Sequence, residues 1–258
     1  MKTTVLLFVP GDRPERYAKA VASGADAAIV DLEDAVAPEN KPAAREMARK
    51  AFAGGLRAAL RINSPTNDYG IDDIAAFEGL SPVAVLVPKV ESAQDLDLVR
   101  IDAPLIALIE SVRGLRNIDE IAAFDQVIAL DFGAYDLCAE LGAQPTPEVL
   151  SPYRSMVVAA ARLAQKLAHD APFLGIGDEP GLRAESERAV TYGFDGKLAI
   201  HPSQVATIRA AFTPSDAEVQ NARAVLTAVE SGGVAVVNGK MVDPPLVASA
   251  RRVLARAG

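Results

Sequence analysis

The stretch PLIALIESVRGLRNIDEIAAFDQVIALDFGAYDL, residues 104–137, decides the fold. It opens and closes on apolar runs, 104–110 and 126–132, that are short and rich in Leu, Ile and Val. Such runs read as strands buried on both faces, as in a parallel sheet. Between them, over 114–124, apolar residues recur at helical spacing. The same alternation continues in both directions. Upstream lie TVLLFV (4–9), AAIVDL (27–32), AALRIN (58–63) and VAVLVP (83–88); downstream lie PFLGIG (172–177) and KLAIHP (197–202). Eight runs alternating with helical segments predict an α/β protein built as a (β/α)8 TIM barrel rather than an open doubly wound sheet. No G-x-G-x-x-G follows a run, and no G-x-x-x-x-G-K-[ST] occurs, so the dinucleotide and P-loop signatures are absent.

Local signals agree. In 38–53, Ala44, Met47, Ala48, Ala51 and Phe52 share one helical face, and Gly54-Gly55 ends the helix. Ser92 is an N-cap candidate for a helix over 92–100, and 182–193 carries a further helical pattern. After His201 the pattern changes. Residues 203–231 read as two helices broken at Thr213-Pro214. VAVVNGKMVD (234–243) alternates around Asn238-Gly239, a type I′ hairpin signal, and a last helix covers 244–256. The expected organisation is a barrel domain over 1–212 and a C-terminal helical and hairpin lid over 213–258, serving also as an oligomer arm.

Composition narrows the function. Lys and Arg number 26 against 34 Asp and Glu, a net charge of −8, which disfavours nucleic acid and anionic membrane as partners. The single cysteine, Cys138, excludes an intramolecular disulfide and a Cys-based zinc site from this chain alone. Two histidines, His169 and His201, exclude a His-rich metal site. The N-terminal apolar run is short and cut by Pro10-Gly11, and no stretch approaches the ~18 apolar residues of a membrane span, so a cytoplasmic protein is expected.

In a parallel barrel the active site forms at the C-terminal ends of the strands. Arg13 follows the first run, Asp31, Glu33 and Asp34 the second, and Arg61 and Asn63 end the third. Lys89 and Glu91 follow the fourth, Glu110 and Arg113 the fifth, Asp131 and Asp136 the sixth, and His201 the eighth. Carboxylates without His or Cys suit a hard cation such as Mg²⁺. Glu110 and Asp136, on neighbouring strands, are the sharpest pair for it. The alternative is that Glu110 pairs with Arg61 or Arg113 and Asp136 caps a helix. Asp31 fits a salt-bridge hub with Lys41 or Arg45, while Glu33 and Asp34 fit the holding of metal-bound water. Arg61 can grip a substrate carboxylate, steady an oxyanion, or serve a rim carboxylate. Arg13 and Lys19 offer either phosphate contacts or solvated surface charge.

LFVPGDRPERYAKA, VDLEDAVAPENKPAAR, RINSP, VPKVES, ALIES, LDFGAYDLCAELG, GFDGKLAIHPSQV and GKMVDPP occur in that order over nearly the whole chain. This set resembles the citrate lyase β-subunit-like branch of the aldolase/citrate lyase family, whose relatives include malyl-CoA and citramalyl-CoA lyases. The resemblance implies a TIM barrel, Mg²⁺, and carbon–carbon bond chemistry beside a thioester. By motif match it implies Glu110 and Asp136 as metal ligands and Arg61 on the substrate carboxylate or carbonyl. It implies Phe8, Arg13 and Lys19 as CoA contacts, and Asp243 as an acid/base residue on a lid that closes over a neighbouring subunit. Two departures stand out. Glu33-Asp34 replaces the Glu-His pair of the related pyruvate aldolases, which favours the thioester branch. HDAPFLGIGDEPG (169–181) replaces an element that shapes the acyl-CoA groove in many relatives.

The function this implies is reversible cleavage of a 3-hydroxy-3-carboxyacyl-CoA to a 2-oxo acid and acetyl-CoA. (S)-Citramalyl-CoA is the first substrate expected and malyl-CoA the next, in a homo-oligomer, trimer or hexamer. The rivals are a malyl-CoA thioesterase, the β subunit of a multi-subunit citrate lyase, and a catalytically silent assembly subunit.

Overall fold

The structure, a computed structural model, describes residues 3–230 and 236–257. Eight parallel strands close into a barrel in sequence order: β1 Val5–Pro10, β2 Ala27–Asp31, β3 Ala59–Arg61, β4 Val85–Val87, β5 Leu105–Ile109, β6 Val127–Phe132, β7 Leu167–Asp170 and β8 Gly196–Ala199. The (β/α)8 expectation holds. The interior is filled by Leu6, Ile29, Ala59, Leu86, Ile106, Leu108, Ala129 and Leu198, one or two from each of most strands. Burial of these side chains on an all-parallel sheet explains why the strands read as continuous apolar runs.

β7 corrects the sequence reading. PFLGIG (172–177) is not a strand; it is the loop that follows LAHD, which is. The apolar-run criterion passes over LAHD because its faces are filled with paired charge. His169 Nδ1 lies 2.6 Å from Asp131 Oδ1 on β6, and Nε2 lies 2.9 Å from Thr3 Oγ1. Burial disfavours the His169 imidazolium, yet Asp131 more than offsets this and raises its pKa. On the other face, Asp170 accepts from Arg154 at 2.8 and 3.2 Å and from Lys197 at 3.1 Å. All six side chains are buried, and the charges among them are tolerated because they are paired.

The crossover helices follow their local signals. Ser92 and Asp95 form a reciprocal capping box on the helix Ala93–Asp97. The helix Lys41–Ala53 stops at Gly54. The segment read as one helix over 114–124 is two, Val112–Arg116 and Ile118–Ala123, the first capped by Ser111 Oγ accepting from Gly114 N–H.

The chain divides into two compact units, 1–208 and 209–258, with the division inside the helix Gln204–Phe212. The second unit holds the helix Asp216–Glu230, a hairpin of Val236–Val237 and Lys240–Met241, and the helix Pro244–Ala257. Asn238 and Gly239 both take positive φ, 51° and 76°, as a type I′ turn requires. Ala222, Val225 and Ala250 form the small core of this unit. Residues 231–235, which include the first two residues, 234 and 235, of the hairpin segment read from sequence, lie outside the described residues. Among the described residues no helix is long and apolar enough to cross a membrane.

Candidate active site

A cavity of about 370 Å³ opens at the C-terminal mouth of the barrel. Phe8, Asp31, Asp34, Arg61, Glu110 and Asp136 all line it. Glu33 and Lys89 do not line it; they pair with each other and touch the lining residues Arg61 and Glu110 respectively. Arg13 and Lys19 are exposed and do not line it; Arg13 lies 3.7 Å from Asp12. His201 is exposed and bonded to Ser203 at 2.8 Å.

Arg61 and Asp31 occupy register-paired positions on β3 and β2. The guanidinium donates both arms of its fork to Asp31, Nε to Oδ1 at 2.7 Å and Nη2 to Oδ2 at 2.6 Å. Its remaining edge, Nη1, faces Glu33 Oε2 at 2.8 Å and Asp34 at 3.5 Å, and its plane lies 4.7 Å from the Phe8 ring centroid. Asp31 therefore serves Arg61, not Lys41 or Arg45 as the sequence reading had it. Lys41 instead donates to the carbonyls of Leu32 and Glu33 and to Asn63, which fixes the loop carrying Glu33 and Asp34. Arg45 pairs with Asp73 at 2.7 Å. The bidentate grip means Arg61 presents a fixed edge to the cavity rather than a mobile fork.

Glu110 directly follows β5, with its carboxyl buried. It pairs with neither Arg61 nor Arg113; the latter lies 3.4 Å from Glu91. Its Oε1 accepts the Lys89 backbone N–H at 2.8 Å. Burial, with Glu33 and Asp136 nearby, pushes its pKa up to about 8 against the opposing pull of Lys89. Gly133 gives it room: a Cβ there would overlap Glu110 Cβ and stand 2.7 Å from Oε2. Asp136 lies in the first turn of the helix Ala134–Leu141, three residues past the N-cap Gly133, so it is not itself the cap. It is exposed and makes no hydrogen bond among the described residues.

Lys89 is the residue that sequence reasoning underweighted. It adopts φ 54°, rare for a residue with a side chain, and this turns its N–H to Glu110 while its ammonium reaches Glu33. Burial works against its charge, but the Glu33 partner more than offsets this and raises its pKa, the opposite of what an amine nucleophile needs. Glu33 itself is raised by burial in spite of Arg61.

Asp31, Glu33, Asp34, Glu110 and Asp136 thus stand against Arg61 and Lys89, an excess of negative charge at the mouth. Glu33 Oε2 is buried and makes no aligned hydrogen bond, its one close partner being the Arg61 Nη1 at 2.8 Å. An oxygen-only donor set with surplus charge fits a hard divalent cation. Among the described residues no group of three or more His, Cys, Asp or Glu is arranged as a ready metal cage. Glu110 and Asp136 both line the cavity, and a pair of carboxylates would leave most positions of a Mg²⁺ ion to water or substrate, as that ion prefers.

A closed parallel barrel with its charged residues gathered at the C-terminal mouth defines the class of barrel enzymes. Within that class, the chain belongs to the HpcH/HpaI aldolase/citrate lyase family, which matches residues 4–202. A citrate lyase subunit beta-like protein of Mycobacterium tuberculosis is 41% identical, covering 98% of this chain and 94% of the relative. A (3S)-malyl-CoA thioesterase of Cereibacter sphaeroides is 38% identical, covering 98% and 93%. The crystal structure of protein CitE from M. tuberculosis in complex with magnesium, acetoacetate and coenzyme A matches with a TM-score of 0.89 and 38% identity over 100% of this chain and 98% of that one.

Proposed function

We propose that this chain is a Mg²⁺-dependent carbon–carbon lyase that reversibly cleaves a 3-hydroxy-3-carboxyacyl-CoA to a 2-oxo acid and acetyl-CoA, in the cytoplasm. The observation that carries this is the buried Glu110 carboxyl, held with a pKa of about 8 beside Asp136 in a cavity that also presents Arg61. A carboxyl kept at that cost fits a cation that comes and goes. The CitE relative, with magnesium, acetoacetate and coenzyme A bound, supports the choice of metal and of thioester.

Glu110 and Asp136 are the proposed ligands. When bound, Mg²⁺ would supply Lewis-acid polarisation of the carbonyl that forms on the 2-oxo acid. Arg61, locked by Asp31, offsets negative charge on that oxygen through its Nη1 edge. The substrate hydroxyl loses its proton to water held on the Glu33–Asp34 side. The bond between the thioester's second and third carbons breaks, and its electron pair forms the acetyl-thioester enolate. Asp243 protonates the enolate carbon and, in the synthetic direction, removes that proton. Phe8, Arg13 and Lys19 are assigned to the CoA moiety. Citramalyl-CoA and malyl-CoA are the leading substrates.

Asp243 belongs to the second unit, where Oδ1 accepts the Leu246 N–H at 2.9 Å and caps the helix that begins at Pro244. Its second oxygen has no hydrogen bond among the described residues. We assign it to the cavity of a neighbouring subunit in a homotrimer or hexamer. Asparagine caps helices as well as aspartate does, so Asp243→Asn should leave the fold and 2-oxo acid binding intact. It should abolish exchange of the acetyl-CoA methyl protons with solvent deuterium, followed by NMR. Mixed oligomers of Asp243→Asn and Arg61→Ala subunits should regain activity, because one pairing combines an intact lid with an intact barrel. No rescue in verified mixtures would confine the lid to its own chain; full activity of Asp243→Asn would remove it from the mechanism.

Glu110 gives a second expectation. Below pH 8 it holds a proton that a cation must displace. Mg²⁺ binding at pH 7 should therefore release close to one proton, and above pH 9 almost none. Titration calorimetry in buffers of different ionisation enthalpy measures the number directly.

One observation favours a second reading. The 38% identical relative named a malyl-CoA thioesterase fits water attack on the thioester in the same cavity, giving free hydroxy acid and CoA.

A further inference from the structure

We infer that the ammonium of Lys41 fills a built-in cradle for a monovalent cation, that a chain stripped of it takes up NH₄⁺ or K⁺ there, and that the filled cradle positions Arg61. The cradle lies behind β2 and β3, outside the cavity, and does not depend on which thioester reaction the cavity performs.

Lys41 opens the helix Lys41–Ala53 and is buried, with 8% of its surface exposed. Its nitrogen donates to three uncharged oxygens: Leu32 O at 3.0 Å, Glu33 O at 2.7 Å and Asn63 Oδ1 at 2.6 Å. The Tyr69 ring, its centroid 5.6 Å away, covers a further side. The oxygens are held in place from behind. Asn63 Nδ2 donates to Leu32 O at 2.9 Å and to Asp73 Oδ2 at 2.7 Å, so Oδ1 has to face Lys41. The N–H of the Leu32–Glu33 peptide goes to Asp31 Oδ1 at 2.8 Å, and Glu33 O also accepts the Val36 N–H at 3.2 Å.

A buried lysine ordinarily has a carboxylate against it. Here the compensating charge sits one group further out. Glu33, Asp31, Asp73 and Asp34 surround Lys41 and oppose the lowering of its pKa by burial. Among the described residues their direct partners are three cations: Arg61 for Asp31, Glu33 and Asp34, Lys89 for Glu33, and Arg45 for Asp73. Lys41 is the fourth cation against four carboxylates. Fixed carbonyl oxygens in a negative field are what K⁺ exchanges its water shell for. The same peptide that gives its carbonyl to Lys41 gives its N–H to Asp31, which holds both arms of the Arg61 fork. An empty cradle therefore loosens the support of Arg61 from behind.

The test uses two variants of the full chain. Lys41→Ala removes the stem and opens the cradle to solvent; Lys41→Met fills it with an apolar stem. Urea unfolding without Mg²⁺ is compared in LiCl, KCl, NH₄Cl and tetramethylammonium chloride, each variant against the wild-type chain in the same salt. Lys41→Ala should unfold earlier than wild type in Li⁺ and tetramethylammonium, and recover saturably in K⁺ and NH₄⁺. If it is unfolded without them, refolding on their addition is the same result. Lys41→Met should be destabilised in every salt alike. In Li⁺, Lys41→Ala should also lose about 10- to 100-fold in kcat/KM, the scale of removing an outer supporting contact, and NH₄⁺ should restore it. Its Mg²⁺ affinity should stay near wild type, because Glu110 and Asp136 stand on other strands. A Lys41→Ala chain that responds to K⁺ and NH₄⁺ no more than Lys41→Met does, or that neither ion refolds, overturns the cradle. Recovery of stability without recovery of kcat/KM overturns its part in positioning Arg61. A wild-type chain inactive on every thioester overturns the lyase reading and leaves the cradle to be decided by the unfolding data.

Discussion

Glu110→Gln should weaken Mg²⁺ binding by more than about 100-fold, the upper end of what loss of a supporting contact alone costs, and should at the same time make the metal-free protein more stable at alkaline pH. The two effects share one cause. The Glu110 carboxyl has its pKa at about 8 in the folded chain against an ordinary 4.5, because burial and the neighbouring Glu33 and Asp136 disfavour its charge. A folded pKa above the unfolded one means the folded state holds the proton more tightly. That contribution to stability is fully present below pH 4.5 and is lost as pH rises through about 8. At about 1.4 kcal/mol per unit, the loss is on the order of a few kcal/mol. Glutamine is neutral at every pH, so the variant should show a flat profile in this window when unfolded by urea in the presence of a chelator. Asp136→Asn removes the other proposed ligand. It should weaken Mg²⁺ binding comparably but leave stability nearly unchanged, because Asp136 is exposed and caps nothing. Tight Mg²⁺ binding by both variants contradicts the metal assignment.

Arg61→Ala should cost about 3–5 kcal/mol of stability, because Asp31 is left buried and unpaired. Arg61→Lys separates this structural debt from catalysis. An ammonium keeps the charge but cannot hold both oxygens of Asp31 while presenting an edge toward Glu33 and the cavity. Lysine should therefore recover part of the stability while lowering kcat/KM by about 100-fold or more, the scale of losing one donor to a developing oxyanion. Urea unfolding and steady-state kinetics on the same two proteins read the two effects apart. A lysine variant with unchanged kcat/KM would make Arg61 a structural partner of Asp31 and nothing more.

The barrel was legible in sequence because a parallel sheet buried on both faces leaves runs such as LIALI and VIALDF that few other arrangements need. LAHD failed that test for a physical reason. Its interior face holds His169 against Asp131 and its outer face holds Asp170 between Arg154 and Lys197, so charge pairs stand where apolar residues were sought. The type I′ hairpin was legible because Asn238-Gly239 states its backbone requirement directly.

The candidate site divides in the same way. The rim position of Glu110 and Asp136 follows from strand ends alone. The partner of Arg61 does not, since Asp31 becomes its neighbour only through the β2–β3 register. Nor does the part of Lys89, whose N–H reaches Glu110 only because the backbone turns to φ 54°, a conformation its residue type does not announce. The Asp243 N-cap was likewise hidden behind the family motif, though Asp followed by Pro-Pro is the ordinary signal for a helix start.

The most direct measurement incubates the full chain with Mg²⁺ and a panel of CoA thioesters, citramalyl-CoA and malyl-CoA first, and assays the products for 2-oxo acid, acetyl-CoA and free CoA. The lyase account predicts 2-oxo acid and acetyl-CoA in equal amounts, lost on chelation and in Asp243→Asn. Free hydroxy acid and CoA without 2-oxo acid would contradict it and establish thioester hydrolysis in its place.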